Sequence, residues 1–451
     1  MLPKDIIGSP RMFGIETEFF VIDKDGKISD RADEIINATL KKFEYSSITK
    51  ECGKAMIEHI TFPHMSAKAS FDSFFKDFET LLYELEKKEL GIYNFGTYPG
   101  KNNGSIREES RYKIKQKILG KEQFSAATKC IGLHFHYTLP RRSFNEKIRF
   151  LFPDATHSVQ KRVLDLFNLY VAIDPAVTSL MQSSPYFESK YVGKDSRMIY
   201  YRGDHNSNIR SLYENKPTFG VLNDYSKTIS ELISKINKRN HEWKNIVEKE
   251  GFSVTDFAKD SPSILDSSWK PVKITSHGTV EYRGSDMNTF SKILGISYAL
   301  KYASRHIEKA TVEVTPCEEG NKDYFKEEDG KLFVPIFEKV KRLEKASALD
   351  GFEDKEVYNY TRRFVNYIET LVPKEERVIL RPFFESLDQR KTTSDDIISF
   401  VKKKQKDTNQ IESDTAQELA LASYNNMYKD ILKMKKLGDS LHPHTLFSQL
   451  F

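Results

Sequence analysis

Phe13-Gly14-Ile15-Glu16-Thr17-Glu18-Phe19-Phe20 is the stretch on which the fold turns. Aromatic and β-branched residues favour a pleated strand, and successive strand side chains point to opposite faces. Ile15, Thr17 and Phe19 therefore share one face, and Glu16 and Glu18 share the other. Two carboxylates side by side repel unless water or a cation lies between them. A strand with one solvated face would carry the same pattern. The strand character extends over 11–23 and closes in the turn Asp23-Lys24-Asp25-Gly26.

Working outward, helical spacing over 32–43 is followed by strand character over 47–62, interrupted at Gly53-Lys54. An amphipathic helix over 67–90 places Phe71, Phe74, Phe75, Phe78, Leu81 and Leu82 on one stripe. Strands are predicted over 92–98 and 124–139, a helix over 154–181, and an irregular stretch over 183–220. A helix over 224–250, strands over 269–275 and 278–283 and a helix over 290–309 come next. Beyond residue 334 the chain reads as helices, with a break at 408–415. No repeat recurs at a fixed period. Strands that do not alternate strictly with helices predict an α+β fold with a mostly antiparallel sheet. Residues 1–320 form the expected catalytic domain and 321–451 a helical C-terminal layer.

The 451 residues are 39% hydrophobic and 30% charged, a globular composition. The net charge of +5 is interleaved along the chain and forms no basic segment, which argues against nucleic acid and for a small anionic substrate. Cys52, Cys130 and Cys317 stand far apart and read as reduced thiols. The first residues lack a signal-peptide apolar core, and no later stretch reaches the roughly 20 apolar residues of a membrane span. The expectation is a cytoplasmic protein with no membrane contact.

Three further segments set ionisable groups on strands. Glu58 sits among Met56, Ile57, Ile60 and Phe62, where an unpaired buried carboxylate is costly; the Gly53-Lys54 turn can bring Glu51 to the same face. His134 and His136 share a face, with Leu133, Phe135 and Tyr137 behind, an arrangement common among metal ligands. Thr279, Glu281 and Arg283 line one face of Gly278-Thr279-Val280-Glu281-Tyr282-Arg283. Each alone is compatible with a solvated strand; together they suggest one polar cavity on a sheet. Carboxylate oxygens suit Mg²⁺ or Mn²⁺, and acidic ligands beside arginines suit phosphoryl transfer. No GxxxxGK[ST] loop or GxGxxG turn occurs, so a nucleotide would sit on the sheet itself.

Six segments in order resemble the glutamate–cysteine ligase family, in its bacterial and archaeal carboxylate–amine ligase branch. They are Gly14-Ile15-Glu16-Thr17-Glu18-Phe19, Ile57-Glu58-His59-Ile60-Thr61-Phe62-Pro63, Gly96-Thr97-Tyr98-Pro99, Gly132-Leu133-His134-Phe135-His136, Ser184-Pro185-Tyr186-Phe187 and Gly278-Thr279-Val280-Glu281-Tyr282-Arg283. The resemblance implies a glutamine synthetase-like sheet of about six antiparallel strands, bent into a half-barrel. It implies Mg²⁺ held by Glu16, Glu51, Glu58, His134 and Glu281, with Glu18 beside them, and Arg202 and Arg283 near ATP phosphates or a substrate carboxylate. Tyr98, where the family pattern has histidine, and Lys273, where arginine is expected, are departures that bear on the substrate.

The implied reaction joins a carboxylate to an amine at the expense of ATP through an acyl phosphate, with glutamate and cysteine as default substrates. A rival is a metal hydrolase using His134 and His136 as zinc ligands. Another is a non-catalytic binding module, in which the C-terminal helices provide the contact surface. Those helices also suit a lid or a homo-oligomer interface. The terminal His442-Pro443-His444 reads as incidental.

Overall fold

The computed structural model describes residues 11–440 apart from 43–46, 153, 204–208, 256–262, 311, 319 and 321–322; the His442-Pro443-His444 motif lies outside the described residues. The main sheet is built from β1 (Phe13–Asp23), β2 (Ile48–Lys50), β3 (Met56–Ile60), β4 (Leu90–Tyr93), β5 (Gly132–Thr138), β6 (Val272–Ile274) and β7 (Thr279–Asp286). Six strands run in the order β6-β7-β5-β1-β3-β2, and β4 pairs with the far half of β1. All these pairings are antiparallel. The α+β class and the sheet of about six strands thus follow the expectation.

The odd-numbered residues of β1 explain its central position. Phe13, Ile15, Thr17 and Phe19 are all buried, and they face helices α2 (Ala67–Lys87), α4 (His157–Met181) and α7 (Phe290–Ala310). Phe19 packs at 5.2 Å from Phe78 of α2, which meets Phe290 of α7 edge-on at 4.9 Å. Phe135 of β5 and Tyr282 of β7 each lie about 6 Å from Tyr170 of α4. The even residues of β1 are thereby left on the opposite face.

The helix α4 corrects one expectation. By length and composition it could cross a membrane, yet 94% of its most apolar window is buried inside the fold, where it serves as a core helix. The C-terminal helices α8 (Phe337–Asp350), α9 (Lys355–Leu371), α10 (Arg381–Gln389), α11 (Thr393–Lys404) and α12 (Ser413–Ser440) follow. One continuous apolar core runs from Phe13 to Met434 and includes residues of these helices.

Several boundaries differ from the sequence reading. Residues 121–128 are helical, and only Gly132–Thr138 of the expected 124–139 strand is extended. Ala126, Ala127 and Thr128 are buried in succession, a pattern without the period of two. The stretch 183–220 contains helix α5 (Ser196–Arg202), capped by Asp195, whose carboxylate accepts the Met198 amide at 2.7 Å. Ahead of α8, Glu313–Cys317 and Lys331–Pro335 form an unexpected parallel pair.

Candidate active site

Sheet register decides which polar side chains meet. Glu16 stands opposite His134 on β5, and Glu18 opposite Glu58 on β3. Glu281 on β7 stands opposite His136 on β5 and Lys273 on β6. Glu51 follows directly after β2, whose Thr49 pairs with Glu58, so it returns to the same face. Its carboxylate accepts the Cys52 amide at 2.7 Å.

Three overlapping groups result: Glu18, Glu51 and Glu58; Glu16, Glu58 and His134; Glu16, His136 and Glu281. Each offers ligand atoms within 4.8 Å of one another. The metal ligands expected from the resemblance, Glu16, Glu51, Glu58, His134 and Glu281, are brought together, and Glu18 is among them. His136 joins the set as well.

The two halves of this cluster differ electrostatically. Around Glu281, burial is outweighed by Lys273, Arg283 and His136, which hold its carboxyl down to about 2. Lys273 lies 3.1 Å and Arg283 3.3 Å from it. Glu16 is likewise held low, because His136 and His134 overcome its burial; the two rings lie 3.0 and 2.7 Å from its oxygens. In the other half burial and like charges outweigh the nearby bases. Burial and the neighbouring Glu51 push Glu18 up to about 8, and burial with Glu51, Glu16 and Glu18 pushes Glu58 well above the carboxylate range. Stacked carboxylates of this kind are what a divalent cation relieves. His134 Nε2 has no hydrogen-bond partner among the described residues and lies 3.6 Å from Glu18. The residues therefore fit a hard cation.

Arg202, expected near the phosphates or a substrate carboxylate, is paired inside the fold. Its guanidinium is buried against Asp174, at 2.6 and 2.9 Å, and Glu344, at 2.7 Å. Two buried carboxylates neutralise it, and it braces α5 against α4 and α8. Tyr98 is also remote from the cluster: its hydroxyl donates to the Gly26 carbonyl at 2.9 Å. Lys273, by contrast, sits in the site through Glu281.

Two basic residues that sequence reasoning missed take part. Arg197 of α5 donates to the carbonyls of Arg283 and Gly284 at 3.2 and 3.3 Å and offsets the charge of Glu18. Gly132 allows this approach: a Cβ there would collide with the Arg197 guanidinium. The Gly132 amide also donates to Glu18 at 2.6 Å. Lys115, from α3 (Ser110–Leu119), lies 4.3 Å over the Trp269 ring. Burial, with help from Arg111 and Arg283, brings its amine down to about 7. In the sequence both look like ordinary surface bases of Lys/Arg-rich segments, and nothing local distinguishes them.

Buried acidic oxygens in need of a cation, bordered by guanidinium groups, form an arrangement suited to phosphoryl transfer. Comparison with solved structures agrees on the fold. A glutamate–cysteine ligase from Francisella tularensis, in complex with AMP, is 14% identical and matches over 96% of this chain and 92% of its own, with a TM-score of 0.57. A bifunctional glutathione synthetase from Pasteurella multocida is 15% identical, with a TM-score of 0.55. The match covers 93% of this chain, which spans about half (53%) of that larger protein. No curated protein matches the sequence significantly. Residues 12–254, more than half of the 451, match the model of glutamate-cysteine ligase family 2, so the chain belongs to that family and is an ATP-dependent carbon–nitrogen ligase.

Proposed function

We propose that the enzyme joins the carboxylate of one amino acid to the amine of another at this face of the sheet, with glutamate and cysteine as the default pair. The observation that carries the reading is the convergence of Glu16, Glu18, Glu51, Glu58 and Glu281 with His134 and His136. Glu18, Glu51 and Glu58 would hold one Mg²⁺ or Mn²⁺, and Glu16 with His134, His136, Glu58 or Glu281 would hold another. When bound, the cations supply charge neutralisation to the ATP phosphates.

In the first step an oxygen of the substrate carboxylate attacks the γ-phosphorus of ATP. The bond to the β–γ bridging oxygen breaks, ADP leaves, and an acyl phosphate forms. In the second step the amine nitrogen attacks the acyl carbon, loses a proton, and inorganic phosphate departs with the electrons of the C–O bond. Arg283 and Arg197 would stabilise the transferring charge, in a site where burial strengthens each contact. His136 and Glu16 would hold each other in one orientation, as would Lys273 and Glu281. The reading places the enzyme in the cytoplasm, where ATP and reduced cysteine are available.

The experiment is phosphate release from ATP and Mg²⁺ with glutamate and a panel of amines including cysteine, comparing the native chain with Glu58→Ala. Release that requires both acid and amine, and disappears in Glu58→Ala, is the expected result. Release without acid dependence would set glutamate aside, and no turnover by the native chain with any pair would overturn the reading.

A further inference from the structure

A cavity of about 400 Å³ opens in the C-terminal layer, between the first turn of α7 and helices α10, α11 and α12. It shares no residue with the active site and falls in the size range of small-molecule pockets, roughly 300–1,000 Å³. Lys292, at the start of α7, lines it and is only 8% exposed. An ammonium group carries three donors. One reaches Thr393 Oγ1 at 3.0 Å, and among the described residues Lys292 makes no other hydrogen bond and no ion pair. The Thr393 hydroxyl is itself committed as a donor to Asn288 Oδ1 at 2.8 Å, so its lone pair faces the ammonium. Two donors of a buried cation are thus left for something that enters the cavity. A buried ammonium without a counter-ion is costly, and burial lowers this one to about 8 despite Asp396 and Asp395 nearby.

The rest of the lining narrows the ligand. Phe95, Ile397, Leu419 and Met427 give an apolar floor, Asp396 adds a negative charge near Lys292, and the other charges of the lining, Glu385 and Asp430 against Lys391 and Lys433, balance in sign. A multiply charged phosphate would be repelled by that carboxylate, and a bare cation would be repelled by the lysine. A molecule with one charge of each sign and an apolar tail satisfies all three features. We propose that this cavity binds a zwitterionic amino acid or dipeptide with an apolar side chain, its carboxylate on Lys292, its ammonium toward Asp396 and its side chain on the floor.

The test is calorimetric titration of the full chain, without nucleotide or metal, with L-leucine and glycyl-L-leucine. Isocaproate and isoamylamine serve as probes that each lack one charge. Lys292→Met removes the charge while keeping the length, and Ala422→Phe fills the cavity from α12 without breaking a polar contact. Glu58→Ala reports on binding at the active site. The expected result is saturable binding of leucine or its dipeptide, weakened about tenfold or more (a loss readily resolved in Kd) by either cavity variant. Binding is expected to be unchanged in Glu58→Ala and weaker for both singly charged probes. Three results would each overturn the proposal: no binding of either zwitterion, binding indifferent to both cavity variants, or binding lost in Glu58→Ala. Equal affinity for isocaproate would overturn the zwitterionic assignment.

Discussion

At Glu58 the fold buries one carboxyl among three others, which disfavours its charged form. Burial first, then Glu51, Glu16 and Glu18, raise its carboxyl, so an uncharged isostere should relieve the metal-free protein. Glu58→Gln is expected to raise metal-free stability by about 1–3 kcal/mol. The native chain is expected to melt higher in Mg²⁺ than in chelator, and Glu58→Gln to lose that rise. Thermal unfolding in chelator and in Mg²⁺ checks both. A lower metal-free melting temperature would mean that Glu58 has a partner in the fold after all. The two arginines should separate in a different way. Arg202→Met removes the guanidinium that the buried Asp174 and Glu344 share, and is expected to cost about 3–5 kcal/mol in urea unfolding. Arg283→Met leaves Lys273 with Glu281, so it should spare stability and lower kcat by about 10²–10³. A raised KM for ATP in Arg202→Met without loss of stability would return that residue to the phosphates. The strand period of two made the carboxylates and histidines readable from sequence. The difference between Arg197 and Arg202 was not readable, because Asp174 and Glu344, which claim Arg202, are 28 and 142 residues away along the chain.

At the scale of elements, the join between β5 and α5 is the sensitive one. Gly132 lets the Arg197 guanidinium lie against the start of β5. In Gly132→Ala the obstruction is the end of a flexible side chain, so the fold should persist while Arg197 is displaced. The expected loss is on the order of 10²-fold in kcat/KM, as for other small misplacements of a charged group, with an unchanged circular dichroism spectrum. Full activity in Gly132→Ala would show that Arg197 contributes nothing to turnover. Long periodic elements such as α2 and α7 were legible in the sequence, with boundaries a few residues off. Helix α5 was hidden because its seven residues are too few to show a period, and its cap, Asp195, was the only local sign. The parallel pair of Glu313–Cys317 and Lys331–Pro335 depends on contacts between distant segments, which local pattern cannot supply. In β7 the register shifts between Tyr282 and Ser285. Gly284 within the strand was a readable sign of that irregularity.

For the whole molecule, two buried acids should tilt stability with pH. Burial lifts Asp195 to about 6, and burial with Asp195 lifts Asp286 well above its ordinary value. A group whose folded pKa is raised binds its proton more tightly when folded. As pH climbs from the ordinary 3.8 toward 6, the unfolded chain releases the proton first and the folded state loses stability. For Asp195 alone the loss approaches about 3 kcal/mol. Asp195→Asn retains a cap for α5 and should flatten this decline, measured as the difference from the native chain in urea unfolding between pH 4 and 7. An identical slope in both proteins would refute the assignment.

The order of the strands in the sheet has a consequence for how the protein is made. Its central strand lies near the beginning of the chain, while the strand carrying Glu281 and Arg283 comes more than 250 residues later. During synthesis the early carboxylates therefore emerge long before the lysine and arginine that balance Glu281. They spend that interval without their final neighbours. A chain released prematurely would retain Glu16, Glu51 and Glu58 yet lack one wall of the site. The complete cation-binding surface thus exists only in molecules whose translation has passed the second half of the sheet.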